Sequence, residues 1–196
     1  MDYSEIRSAK ARLDMPGRPF LRKTPLWRVP GALLGVPCAE LWLKLEHQQV
    51  SGSFKARGML NRLLAQPIPA VGVIVASGGN AGIAVAAAAQ ALQVPCEVFV
   101  PTSCPAAKQA RLRELGATVV QHGAVYAEAF QASVARQAAT GALMAHAYDQ
   151  PEVVAGAGTL ALEIAEQAGT LPHQVLVSVG GGGLVAGLAL GFDGLA

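Results

Sequence analysis

The chain has 196 residues, 52% of them apolar and 14% charged, with a formal charge of +2. That composition can fill a sizeable core and excludes a disordered chain. With no basic block and no interleaving of arginines with aromatics, it gives no support to nucleic-acid binding. Three cysteines, Cys38, Cys96 and Cys104, form no CxxC pair, so neither a zinc site nor a disulfide framework is expected. The N-terminus is charged and carries no apolar leader, which makes a reducing, cytoplasmic setting the expectation.

Residues 39–46 (AELWLKLE) alternate apolar and polar side chains, the pattern of a strand. Residues 53–66 follow as a helix, with Ser53 as its expected cap. A regular rhythm then begins. VGVIVA (71–76) reads as a buried strand, 80–93 as an Ala-rich helix ended by Pro95, and CEVFV (96–100) as the next strand. This most apolar stretch is broken by Ser77, Gly78, Gly79, Asn80, Gln90, Gln93 and Pro95, so it is not a membrane span. Pro105 opens a helix that Gly116 ends, ATVVQ (117–121) is a strand, 124–140 a helix and ALMAH (142–146) a strand. Strands alternating with helices through short turns predict an α/β fold with a parallel or mostly parallel sheet flanked by helices. The segment 148–151 is a candidate crossing between lobes. Beyond it, 152–168 reads as a helix, QVLVSV (174–179) as a buried strand and GGGG as the start of another helix. A strand like 174–179 expects a further neighbour. There is no internal repeat and no low-complexity segment.

Three motifs carry chemistry. In Ser51-Gly52-Ser53-Phe54-Lys55-Ala56-Arg57-Gly58 a lysine stands at a helix start, where the helix dipole favours anions. That field, with burial, lowers an amine's pKa and makes it nucleophilic. An ordinary surface lysine is the competing reading. In Ser77-Gly78-Gly79-Asn80-Ala81-Gly82, between a strand and a helix, glycines free backbone N–H groups for an anion such as a carboxylate, and Asn80 offers an amide for a ring hydroxyl. A plain turn with an Asn cap is the alternative. Gly180, Gly181, Gly182 and Gly183, followed by Leu184, form a nest for a phosphate at a helix N-terminus. The same run satisfies a loose dinucleotide pattern, which any glycine run does, and no GxxxxGK[ST] is present. Amine, amide and phosphate cradle together fit one phosphorylated aldehyde cofactor.

In these motifs the chain resembles the fold-type II pyridoxal-phosphate enzymes, and within them the serine/threonine dehydratases (threonine ammonia-lyases). Thr24-Pro25-Leu26, Leu43-Lys44-Leu45-Glu46, SFKARG, SGGNAG, Lys108 with Leu115-Gly116-Ala117, Asp149-Gln150-Pro151 with Ala155-Gly156-Ala157-Gly158-Thr159, and VGGGGLVAG match in order. The resemblance implies pyridoxal 5'-phosphate held by Lys55 as a Schiff base, with Phe54 beside the ring and Asn80 on the 3'-oxygen. It implies Gly180, Gly181, Gly182, Gly183 and Leu184 as the phosphate loop, and Ser77, Gly78, Gly79, Asn80 and Ala81 as the loop for the substrate carboxylate. It implies a smaller lobe over 47–148 and a larger one, here incomplete, built from 1–46 and 149–196. A small-molecule amino acid is the implied substrate and a homodimer the implied assembly, with no part for nucleic acid or a membrane.

The implied reaction is β-elimination from L-threonine or L-serine, giving a 2-oxo acid and ammonia. Ala56 stands where threonine synthases carry Asp, and Phe54 where cysteine synthases carry Ile or Val. Gly78 stands where the family's racemases carry a serine acid/base, so elimination is favoured over racemisation or β-replacement. Ala81 stands where many members carry His. Chains of this family run well past 196 residues, and the later part supplies the group facing the pyridine nitrogen. The chain is therefore expected to be a fragment or a truncated product, inactive alone, with an inactive pyridoxal-phosphate-fold module as the alternative.

Overall fold

The computed structural model describes residues 1–15 and 20–196. The core is a four-stranded all-parallel sheet of β3 (Val73–Ala76), β4 (Cys96–Val100), β5 (Thr118–Gln121) and β6 (Leu143–Ala145), in the order β5-β4-β3-β6. The helices that connect them are α3 (Asn80–Leu92), α4 (Ala106–Glu114) and α5 (Tyr126–Thr140). Each lies within a few residues of its expected bounds.

Side chains alternate across a strand, and both faces of this sheet are covered. Val73, Val75, Val98 and Val100 pack with the alanines of α3 and Leu112 of α4. Ile74, Ala76 and Phe99 face the other way, onto Phe130 of α5. Burial on both sides explains why these strands read as continuous apolar runs rather than as alternating ones.

The remaining elements pack around three helices. α2 (Lys55–Leu64) touches both α3 and α6 (Pro151–Ala168), and α6 packs on α7 (Gly183–Asp193) and on α1 (Tyr3–Leu13). Glycines set these crossings. A Cβ on Gly156 would meet the Arg57 carbonyl at 2.6 Å, and one on Gly187 would meet the Val154 carbonyl at 2.5 Å. β1 (Leu26–Pro30) and β2 (Glu40–Lys44) form a separate antiparallel pair.

Three expectations differ. Ser53 does not cap α2: Phe54 is the N-cap, its own conformation is helical, and no side chain bonds to the cap. The segment 174–179 pairs with no strand among the described residues, and Leu176 is 90% exposed. A strand exists only with a neighbour's backbone, and none lies beside this segment. α1 was not foreseen, although its buried Ile6, Ala9 and Leu13 have helical spacing.

Candidate active site

The sheet order places a crevice. From β3 the chain moves through α3 to β4 on one side, and later returns through α5 to β6 on the other. The loops after β3 and β6 therefore leave in opposite directions, and in open α/β sheets such a switch point at the carboxyl ends of the strands is where ligands bind. The loop after β3 is Ser77-Gly78-Gly79-Asn80, and the chain after β6 is His146-Ala147-Tyr148.

Lys55, the first residue of α2, reaches this crevice. Its Nζ donates a hydrogen bond to the Ala147 carbonyl and stands 5.1 Å from the centre of the Phe54 ring. Burial lowers its pKa below the ordinary lysine value. One residue before Phe54, the buried Ser53 hydroxyl has no hydrogen-bond partner.

Phe54 and residues 178–185 line a concavity of about 490 Å³, open to solvent. This brings Phe54 together with Gly180, Gly181, Gly182, Gly183 and Leu184. Gly182, the N-cap of α7, has φ +86°, a conformation that side chains rarely adopt. A Cβ on Gly181 would overlap the Tyr148 ring at Cγ, Cδ1 and Cδ2, whereas one on Gly180 would meet nothing within 4 Å.

The loop after β3 leaves the sheet at the same carboxyl end as the chain after β6. Gly79 N–H donates to the Ser77 hydroxyl at 3.2 Å, and Asn80 opens α3 with its side chain exposed. A Cβ on Gly78 would meet Cys104 Sγ at 2.7 Å. Ala81 is buried in the core against α3's neighbours. Among the described residues no hydrogen bond joins Ser77 or Asn80 to Lys55.

Two groups escaped the sequence reading. The Tyr148 ring occupies the place of a Gly181 side chain, and the one available signal was its place just after a strand. The second is a buried ion network. Arg57 binds Glu46 through two hydrogen bonds of 2.8 Å and Glu163 through bonds of 2.8 and 3.0 Å. Lys44 joins at Glu163, and the Thr24 N–H donates to the same carboxylate at 3.0 Å. The matched motifs around Thr24, Glu46 and Arg57 thus meet in one place, and α6 supplies Glu163 to it.

The donor set fits pyridoxal phosphate on the chain's own terms. It offers an amine of lowered basicity, a ring beside it, an orphaned hydroxyl nearby, and a glycine nest at the start of an 11-residue helix. Comparison with known proteins agrees. Residues 18–195 match the family described as pyridoxal-phosphate dependent enzyme. The chain is 44% identical to the L-threonine ammonia-lyase of Geobacter sulfurreducens, over 96% of this chain and 46% of that protein. It is 41% identical to the L-threonine ammonia-lyase of Thermotoga maritima, over 77% of this chain and 38% of that one.

Among solved structures, a threonine deaminase from T.th. superposes with a TM-score of 0.89 at 39% identity, covering 100% of this chain and 62% of that chain. Maize serine racemase superposes at 0.90 with 30% identity, covering 99% and 58%. The chain spans about half the length of the curated relatives it matches. With the parallel sheet, the half-buried lysine and the glycine nest in place, and with that match over residues 18–195, the chain belongs to the family of pyridoxal-phosphate dependent enzymes.

Proposed function

We propose that this chain carries the lysine half of a threonine/serine ammonia-lyase, with Lys55 as the residue that holds pyridoxal phosphate. The observation that carries this is the Lys55 amine, lowered in basicity and set at the β3/β6 switch point beside a phosphate-sized glycine nest. Relatives at 41–44% identity are named L-threonine ammonia-lyases, which supports the substrate class.

When bound, pyridoxal phosphate supplies an electron sink for the charge left on the substrate's Cα. The amides of residues 180–183 and the start of α7 would bind the phosphate, and Phe54 would pack beside the ring. Asn80 would donate its amide to the ring's 3'-oxygen. Ser77, Gly78, Gly79, Asn80 and Ala81 receive the substrate carboxylate. Lys55 would take the substrate's Cα proton as general base, and its lowered pKa would keep a larger neutral fraction ready. The β-hydroxyl would leave as water together with the proton taken from Cα, and hydrolysis would then yield a 2-oxo acid and ammonia.

Racemisation needs an acid/base on the other face of the cofactor. At Gly78 the space for such a side chain is held by Cys104 Sγ, which favours elimination. The lobes implied by the sequence, 47–148 and 1–46 with 149–196, are retained as part of the proposal. The sheet lies wholly within the first, while α1, β1, α6 and α7 pack among themselves, with α2 bridging the two. The homodimer and the cytoplasmic setting are likewise retained. No helix among the described residues is long and apolar enough to cross a membrane.

Borohydride reduction of the pyridoxal-phosphate-loaded protein, followed by peptide mapping, tests the assignment. The reduced cofactor is expected on the peptide containing Lys55, and finding it on Lys10, Lys23, Lys44 or Lys108 overturns the site. Incubation of the complete enzyme with L-threonine and L-serine is expected to release 2-oxo acid. D-enantiomer without oxo acid overturns the reaction.

A further inference from the structure

The glycine run is not uniform. Gly182 is required by its left-handed backbone, and Gly180 has open space around it. Gly181 has neither a positive φ nor open space: the place of its Cβ is filled by Tyr148. The overlapping atoms are Cγ, Cδ1 and Cδ2, at the root of the ring, so a side-chain wobble cannot clear them. Gly183 presses on the same residue, its Cβ position being 2.9 Å from the Tyr148 carbonyl oxygen and 3.4 Å from the Tyr148 Cβ.

Tyr148 is itself held. Its ring meets His146 edge-on at 4.8 Å, His146 meets Phe130 edge-on at 5.8 Å, and Phe130 stacks on Tyr126 at 6.0 Å. His146 is fixed in turn by the Asp149 N–H, which donates to its Nδ1 at 3.0 Å. A ladder of rings therefore runs from α5 to the glycine loop. One residue back along the chain, the Ala147 carbonyl accepts from Lys55.

We infer that Tyr148 is a positioning residue for the glycine loop: its ring occupies the place of the Gly181 side chain and fixes the loop so that its amides converge on the cofactor's phosphate. Residues 147–148 then set both ends of the cofactor site, the amine through Ala147 and the phosphate through Tyr148. This inference rests on the reading of residues 180–183 as the phosphate loop.

Swapping the two partners tests it. Gly181→Ala and Tyr148→Ala are each expected to weaken pyridoxal-phosphate binding, read by absorbance titration, by about tenfold or more. Both are expected to shift the 31P signal of the bound phosphate. Tyr148→Phe keeps the ring and is expected to restore what Tyr148→Ala loses. The double variant Tyr148→Ala/Gly181→Ala is expected to bind better than Gly181→Ala alone, because the Cβ then fills the space the ring has left.

Losses that simply add in the double variant, or a Tyr148→Ala that binds like the parent, overturn the inference. Amide hydrogen exchange over residues 180–183 reads the loop with no cofactor present. Tyr148→Ala is expected to speed that exchange about tenfold, and unchanged exchange overturns the positioning role. A parent protein that takes up no cofactor while Tyr148→Ala speeds the exchange overturns the phosphate reading and leaves the ring's hold on the loop standing.

Discussion

Lys55 combines a hydrogen bond to the Ala147 carbonyl with an environment that disfavours its charge. Burial lowers its pKa, so between the lowered value and the ordinary 10.5 the folded protein binds fewer protons there than the unfolded chain. Isotope-coded acetylation across pH, read by mass spectrometry, is expected to place the half-reaction point of Lys55 below that of the same lysine in the urea-unfolded chain. Coincident profiles would remove the argument for a neutral base. Gly180 gives a second residue-scale prediction. Its Cβ would meet nothing in the chain, so Gly180→Ala is expected to leave the melting temperature within about a degree, the effect of a neutral surface change. It is expected to weaken pyridoxal-phosphate binding severalfold. Gly181→Val would not isolate the ligand in this way, because it collides with Tyr148 first. Lys55, Phe54 and the glycines were legible because each sits in a run of unusual neighbours. Tyr148 was not, because one aromatic in a turn has no pattern of its own.

Among the elements, α2 is tied down by charge as well as by packing. Arg57 is 2% exposed, and it bridges Glu46 after β2 to Glu163 on α6. Burial pushes the Glu163 carboxyl up, but the hydrogen bonds and charges of Arg57 and Lys44 outweigh it and hold the pKa below the usual 4.5. Glu163 therefore adds stability above its ordinary value, and that stability is lost as the pH falls through the lowered one. Arg57→Met leaves two buried carboxylates without their shared cation. It is expected to cost about 3–5 kcal/mol in urea unfolding and to move acid unfolding to higher pH. A cost under about 1 kcal/mol would show that the network is solvated. The helices and strands of 71–146 were legible because each βα step is local: an apolar run, a glycine turn, an alanine-rich helix. The network was not, because Thr24, Lys44, Glu46, Arg57 and Glu163 are far apart in sequence and meet only when α2 is laid on α6.

At the scale of the whole molecule, the segment 174–179 stands apart. Its sequence has the composition of a buried strand, yet Leu176 is 90% and Val179 65% exposed. Val177 alone is half-buried and packs with the Leu160, Ala161, Ile164 and Leu188 cluster between α6 and α7, whereas Val175, two residues before it, is 42% exposed. Burial along the segment does not alternate as in a strand, and among the described residues no backbone pairs with it; propensity alone could not foresee that, because pairing is a property of the partner as much as of the segment. An apolar, unpaired segment invites pairing with another chain. Leu176→Lys with Val179→Lys is expected to cost less than about 0.5 kcal/mol, as for exposed positions, and to reduce concentration-dependent association measured by sedimentation. Val177→Lys, which puts a charge against the α6–α7 cluster, is expected to cost at least about 2 kcal/mol. If Leu176→Lys with Val179→Lys destabilises the fold as much as Val177→Lys does, these exposed positions are already covered in solution, and the open-segment account fails.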